Sequence, residues 1–193
     1  MVTRASFVSP PLAASGYINA REVFLNVGFA LSQWEHAEEL LAALYSFLCG
    51  PKSTHAAFRS YGTLTATGPR RNVILAASEV FFLTFPSNTL PKRLSDLLSI
   101  YADAGARRNE IAHGVVMAGP SPGPTAEQWF LVPALHSTKK TSLQLEAEYR
   151  FNSQIIDGFA KAFDSLQADI IAFRVDLIAH YESFSESVRA QYT

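Results

Sequence analysis

The spacing of apolar residues predicts a chain built mainly of helices. In the first long segment, apolar side chains recur at alternating intervals of three and four residues, with one charged interruption at Glu38. The apolar positions are Phe24, Val27, Leu31, Trp34, Leu41, Tyr45 and Leu48. Asn19 followed by Glu22 resembles a capping box, and Gly50-Pro51 is typical of a helix end. We therefore expect a helix from about Asn19 to Cys49.

The same spacing predicts a second long helix, from about Tyr149 to Phe184. Its apolar positions are Ile155, Phe159, Phe163, Leu166, Ile170, Phe173, Leu177, Tyr181 and Phe184. At a rise of ~1.5 Å per residue, the two long helices would reach roughly 45 and 50 Å. Helices of that length pack lengthwise in a bundle.

Shorter elements are predicted between the two long helices. One helix begins at Ser53 or Thr54 and is broken by Gly68-Pro69, and a largely apolar helix covers residues 70–85. A buried strand over residues 80–85 is an alternative, because those residues have high β propensity. A further helix runs from about Leu90 and is closed by Gly114.

The helical spacing of apolar residues ends at Gly114. Residues 115–135, interrupted by a turn rich in Gly, Pro and Ser at 119–124, predict a small hairpin or extended flap. The predicted fold is therefore an all-α antiparallel helical bundle with two long helices and a short hairpin near 115–135. Residues 1–18 form an N-terminal extension, 19–186 a single helical domain, and 187–193 a C-terminal tail.

Composition narrows the class of protein. The 193 residues are 48% apolar and 17% charged, which excludes a disordered chain. No apolar run approaches the ~18 residues that a membrane-spanning helix needs. The single Cys49 excludes an intramolecular disulfide framework, and the five His residues form neither a ligand cluster nor a zinc motif. We expect a cytoplasmic protein with no membrane contact, no metal and no cofactor.

The net charge of −1 argues against a strongly basic nucleic-acid binder, but the charges are unevenly placed. Residues 52–108 contain eight Lys/Arg and three Asp/Glu, a net of +5, and residues 146–186 contain three Lys/Arg and eight Asp/Glu, a net of −5. The first stretch could supply a local basic surface. The alternative is that these charges only solvate helix surfaces.

The strongest candidate for chemistry is the string from Arg107 to Gly114 at the end of the fourth helix. Arg108 offers a planar cationic fork suited to phosphate, and His113 is suited to proton transfer near neutral pH. Asn109 shares a helix face with His113, and Arg107 is a possible phosphate contact on another face. Because Arg108 and His113 are separated by about 140° on an ideal helix, their convergence on one site stays open. The alternative for His113 is a structural hydrogen bond.

Glu38 and Arg108 each interrupt an apolar stripe with a charge. A buried unpaired carboxylate is costly, so Glu38 needs a cation. We expect Glu38 to pair with Arg108 and so to orient the site. The alternative is that Glu38 lies at the edge of its stripe and reaches water.

Taken as a whole, Arg108-Asn109-Glu110-Ile111-Ala112-His113-Gly114 closely resembles the signature of the HEPN superfamily, an Arg and a polar residue followed by a His at a helix end. Residues 34–41 also look like the first helix of bacterial HEPN-like proteins. The resemblance implies an all-α bundle that dimerises, with the Arg/His motifs of two copies meeting at the interface. Arg108 would hold the scissile phosphate of RNA, His113 would transfer a proton, and Asn109 would orient the site. The RNA 2′-hydroxyl would attack without a metal ion, leaving a cyclic phosphate.

The functional hypothesis is a metal-independent RNA endonuclease of toxin or defence type that acts as a homodimer on RNA, with an antitoxin or another protein as a possible partner. The first alternative is a non-catalytic HEPN-like dimeric module that binds a protein partner or a nucleotide. A third is a helical dimer with a purely structural role.

Overall fold

The computed structural model describes residues 1–50, 52, 54–119, 128–134 and 147–190, and the chain is mostly helical there. In chain order the elements are a 3-10 turn (Arg4–Phe7), α1 (Ala20–Leu48), α2 (Thr54–Gly62), α3 (Thr67–Thr84), α4 (Leu90–His113), β1 (Gly114–Gly119), β2 (Gln128–Pro133), α5 (Ser153–Glu182) and α6 (Glu186–Ala190). The predicted class, a helical bundle with two long helices and a short hairpin, is confirmed. Most of the predicted turn at 119–124 lies outside the described residues.

The contacts within the chain divide it into two compact units. The first unit consists of Met1–Val2, His36–Ala102 and Ser165–Thr193, and the second of Thr3–Glu35 and Asp103–Asp164. Each of the long helices α1, α4 and α5 therefore contributes one part to each unit. Among the helices in the described ranges, none combines the length and the apolar character needed to cross a membrane.

Local hydrogen bonds explain why the predicted ends of α1 and α4 are correct to within about one residue. The Asn19 side chain accepts a hydrogen bond from the backbone N–H of Arg21 at 2.9 Å, which caps the start of α1. Gly50 has a φ of 88°, the left-handed conformation expected just after a helix end. The Ser87 hydroxyl accepts a hydrogen bond from the N–H of Leu90 at the start of α4.

Three expectations about boundaries are wrong. Gly68-Pro69 does not break a helix but lies in the first turn of α3, where a proline has no intrahelical hydrogen bond to lose. The strand alternative for residues 80–85 is also wrong, because α3 continues through Thr84. α5 begins at Ser153 rather than near Tyr149, since the Asn152 side chain accepts a hydrogen bond from the Ile155 N–H at 2.9 Å.

The buried face of α1 differs from the predicted stripe in its first turns. Val23 is fully buried, whereas Phe24 is 58% exposed, so the prediction for Phe24 is wrong. Further along, Trp34, Leu41 and Leu48 are buried as predicted. The beginning of α1 therefore presents an apolar residue to solvent that the periodicity had assigned to the core.

In the second unit, the core lies between the first part of α1 and the first part of α5. The ring of Phe163 lies 5.6 Å from that of Trp34 and 5.7 Å from that of Phe7, and all three are buried. Asn26 donates a hydrogen bond to the carbonyl of Ser153 at 3.0 Å. Because residues 26 and 34 contact residues 153 and 163 in the same order, the two long helices run in the same direction here, and the expectation of antiparallel packing is wrong for this pair.

In the first unit, aromatic side chains from α1, α3 and α5 form the core. The Phe85 ring lies 4.9 Å from Phe81, 5.0 Å from Tyr181 and 5.2 Å from Phe184. Phe47 of α1 contacts both Phe81 and Tyr181. Aromatic pairs at these separations add stabilisation beyond the area that they bury.

The hairpin follows α4 without an intervening loop. β1 and β2 are antiparallel, with Gly114 opposite Pro133 and Gly119 opposite Gln128. Gly114 belongs to the candidate motif, and a Cβ at this position would lie 2.7 Å from Cγ of the buried Leu131 and 3.0 Å from the carbonyl oxygen of Glu110. The absence of a side chain therefore allows the end of α4 to pack against β2.

We expect Gly114→Ala to lower the free energy of unfolding by roughly 1–3 kcal/mol, because the added methyl group would lie 2.7 Å from the Leu131 side chain and 3.0 Å from the Glu110 carbonyl oxygen. The matched control is Gly158→Ala in α5, where the added Cβ meets no heavy atom within 4 Å. That change should stabilise the helix by roughly 0.5–1 kcal/mol. Urea denaturation of both variants checks the prediction, and equal effects at the two glycines would contradict it.

Candidate active site

The candidate residues lie in the second unit, at the carboxyl end of α4. His113 is the last residue of the helix and is exposed, and Asn109, one turn earlier, is exposed as well. Their i, i+4 spacing places them on the same helix face, as predicted. Arg108 is also inside the helix, about 140° around the axis from His113. A single copy of α4 therefore presents the arginine and the histidine in different directions.

Arg108 is held by polar contacts at the surface. One guanidinium nitrogen donates a hydrogen bond to the Asn109 side chain at 3.2 Å, and another lies 3.5 Å from a carboxylate oxygen of Glu35 on α1. The Arg108 side chain is 31% exposed and that of Glu35 is 64% exposed. An ion pair this long and this exposed contributes little to stability, so another anion could replace Glu35 at low cost.

Arg107 is more tightly enclosed than Arg108. Its guanidinium lies 2.9 Å from the carboxylate of Glu110, one turn along the helix, and both side chains are largely buried. Within the described ranges, the Nε atoms of Arg107 and Arg108 are buried and have no hydrogen-bond partner. Arg107 is thus paired with Glu110 in a largely buried position, and Arg108 is the cation that a bound phosphate could reach more easily.

Tyr149 forms a hydrogen bond to the backbone of the last turn of α4. Its hydroxyl donates a hydrogen bond to the carbonyl oxygen of Glu110 at 3.0 Å. Burial, together with the negative charges of Glu110 and Glu148, raises the pKa of Tyr149 to about 12. The hydroxyl therefore remains a protonated donor at neutral pH and holds the backbone just before His113. Sequence reasoning missed this residue, because it had been assigned to the start of α5.

The expected pairing of Glu38 with Arg108 is wrong. Glu38 is buried, as its place in the apolar stripe of α1 predicted, but its carboxylate lies 2.9 Å from the guanidinium of Arg70. The hydroxyls of Tyr61 and Tyr101 each donate a hydrogen bond to Glu38 at 2.9 Å. The acceptor oxygens of Glu38 are thus occupied by groups of the first unit. Orienting Arg108 falls instead to Glu35, one turn earlier on the exposed face of α1.

Arg70 belongs to a triplet at residues 70–72 that repeats the Arg-Arg-Asn of the candidate motif. Its guanidinium reaches the buried Glu38 and lies over the Tyr61 ring, 5.2 Å from the ring centroid. Burial and the neighbouring Glu38 raise the pKa of both Tyr61 and Tyr101, and Tyr101 adds to the rise for Tyr61, so both stay protonated donors.

The basic stretch over residues 52–108 is largely neutralised. Five of its eight cations lie in ion pairs with Asp or Glu: Arg70, Lys92, Arg93, Arg107 and Arg108. This favours the alternative that most of these charges serve the folded structure. Phosphate contacts at the candidate site would therefore come from Arg108 itself rather than from a broad basic surface.

A metal-ligand cluster and a pocket are the two other kinds of site that the fold could provide. Within the described part of the chain, no group of three or more His, Cys, Asp or Glu residues is arranged to hold a metal ion. A pocket of about 360 Å³ lies in the first unit, lined in part by Phe47, Phe58, Arg174 and Tyr181. The candidate site residues Glu38, Arg107, Arg108, Asn109 and His113 do not contribute to its wall.

Comparison of the chain with protein-family models, with curated proteins and with solved structures found no match.

Proposed function

We propose that this protein is a cytoplasmic, metal-independent RNA endonuclease of toxin or defence type, which acts as a homodimer. The observation that carries the proposal is the end of α4, where the counter-ion of Arg108 is the exposed Glu35 at 3.5 Å and His113 is exposed on the same helix. A scissile phosphate could take the place of Glu35 on Arg108. The resemblance of residues 108–114 to the HEPN signature supplies the reaction class.

In the proposed reaction, the 2′-hydroxyl of RNA attacks the adjacent phosphorus, and the bond from phosphorus to the 5′-oxygen breaks. The products are a 2′,3′-cyclic phosphate and a free 5′-hydroxyl, so the proton lost by the 2′-oxygen is balanced by the one gained by the 5′-oxygen. His113 transfers a proton in this exchange. Arg108 stabilises the charge that develops on the phosphate, and Asn109, on the face of His113, orients the site.

The positions of Arg108 and His113 on α4 are the reason to include a second copy. The two side chains leave the helix about 140° apart. In a single copy, a phosphate that binds Arg108 is therefore poorly placed to reach His113. A two-fold dimer that brings two α4 ends together would place the arginine of one copy beside the histidine of the other.

The test is cleavage of RNA by the purified protein in EDTA, beside an all-DNA strand of the same sequence. We expect the RNA to be cut, the DNA to stay intact because it lacks the 2′-hydroxyl, and the product ends to carry cyclic phosphate by mass spectrometry. Cleavage of both strands, or cleavage only after a divalent cation is added, would contradict the proposed mechanism.

One observation favours a second candidate, a non-catalytic dimeric module that binds a protein partner such as an antitoxin. Arg107 and Arg108 both face carboxylates, those of Glu110 and Glu35, so the charges of the two arginines are balanced within the chain. A folded dimer that cuts none of a set of structured and unstructured RNAs would favour this candidate over the nuclease.

A further inference from the structure

The first part of α1 exposes a strip of apolar side chains. Phe24, Leu25 and Phe29 are 58%, 54% and 51% exposed. Gly28 lies among them, and a Cβ at that position would meet no heavy atom within 4 Å. Phe24 and Leu25 lie on either side of Gly28, about 40° and 60° around the helix axis from it, whereas Phe29 is about 100° away. Exposed large apolar residues that share a helix face are characteristic of an interaction surface.

Charges at the two ends of this strip show what kind of partner fits it. Arg21 lies seven residues before Gly28 and Glu35 seven residues after it, and both are exposed. Seven residues are about two helical turns, so Arg21, Gly28 and Glu35 share one face. Around Gly28 the strip is therefore basic at one end, apolar in the middle and acidic at the other end.

This arrangement is self-complementary. In an antiparallel pair of identical helices with a two-fold axis at Gly28, each residue before Gly28 lies opposite the residue equally far after it in the other copy. Arg21 of one copy would then face Glu35 of the other, twice in the dimer. Phe24 would face Ser32, a small exposed residue. A partner surface that carried charge of a single sign would be electrostatically complementary to only one end of the strip.

We propose that this face of α1 is covered by a second copy of the same chain, with the two α1 helices antiparallel and crossing at Gly28. The missing side chain at Gly28 lets the two backbones approach closely. The exposed side chains of Phe24 and Leu25 are buried at the crossing, and the two Arg21–Glu35 pairs fix the register.

The proposed contact reaches the candidate active site through Glu35. In one copy this carboxylate is the counter-ion of Arg108, at 3.5 Å. When Arg21 of the second copy binds Glu35, it draws the carboxylate from Arg108 and leaves that guanidinium for a phosphate. This last step rests on the proposed function, whereas the contact between the α1 helices does not.

Sedimentation equilibrium at micromolar concentrations tests the contact, comparing the wild type with Gly28→Arg. We expect a wild-type dimer and a Gly28→Arg protein whose dimer affinity is at least about 30-fold lower, the effect of losing an interface hot spot. The matched control is Gly158→Arg, at an exposed helical glycine of the same unit with equally open surroundings, which should dimerise as the wild type does. A monomeric wild type, or a Gly28→Arg protein that dimerises normally, would overturn the proposal.

A charge exchange tests the register. Arg21→Glu should weaken the dimer because it places two carboxylates opposite each other, and the double variant Arg21→Glu/Glu35→Arg should restore it. Failure of the double variant to recover would overturn the antiparallel register. RNA cleavage by the wild type is measured separately. An inactive wild-type dimer that Gly28→Arg disrupts removes the proposed nuclease and leaves this contact. An active wild-type dimer that Gly28→Arg leaves intact removes this contact and leaves the nuclease, which then dimerises through another face.

Discussion

His113→Ala is expected to lower the rate of RNA cleavage in EDTA by about 10²–10⁴-fold, the usual contribution of a positioned proton-transfer group. The side chain is exposed at the end of α4, so its removal should leave the free energy of unfolding within about 0.5 kcal/mol of the wild type. A loss of cleavage can therefore be assigned to chemistry rather than to unfolding.

The matched control is His55→Ala, which removes an exposed histidine from α2 in the first unit. This variant should cleave RNA at the wild-type rate. Arg108→Ala should also lose activity, by about 10²–10³-fold, because it removes charge stabilisation at the phosphate. Its control is Arg59→Ala, at an exposed arginine of α2. Full activity of His113→Ala would contradict the assignment of this residue to proton transfer.

Glu38→Ala is expected to destabilise the protein by about 3 kcal/mol or more, because it leaves the largely buried Arg70 without its counter-ion. Two further donors, the hydroxyls of Tyr61 and Tyr101, would lose the acceptor that each now has at 2.9 Å. A loss of this size is a large fraction of the 5–15 kcal/mol that is typical of a folded domain. Urea denaturation followed by circular dichroism gives the free energy of unfolding.

The neighbouring Glu39→Ala is the matched control, because Glu39 is exposed on the same helix and its loss should change the stability by no more than about 0.5 kcal/mol. A double-mutant cycle with Arg70→Ala isolates the pair, and we expect the two substitutions together to cost less than the sum of the single ones. Additive effects would show that Arg70 is not the group that Glu38 neutralises.

The substitutions at His113 and Glu38 test the candidate motif and the buried ion pair separately. Glu38 could be identified from the sequence as a charged residue within the apolar stripe of α1, and that position correctly predicted its burial. Its partner was misjudged because Arg70 and Arg108 both belong to an Arg-Arg-Asn triplet, and nothing local shows which of the two arginines reaches Glu38. Only the tertiary contacts assign Arg70 to Glu38 and Arg108 to Glu35.

The sequence by itself determined the elements of this protein, because each is set by signals within a few residues. The cap at Asn19, the left-handed Gly50 and the stop at Gly114 place helix ends through local hydrogen bonds and backbone conformation. The periodicity of apolar residues likewise determined that α1 and α5 are long helices. The candidate motif at the end of α4 could be located for the same reason.

The tertiary structure decided which helix face is buried and which charges meet. Glu35 and Glu38 are three residues apart on α1, yet one is exposed and the other buried. That difference, and the exposure of Phe24, depend on which helices pack against α1 and at what rotation. Such packing is set by contacts between residues that are far apart in the chain. The spacing of apolar residues within one helix does not specify those contacts.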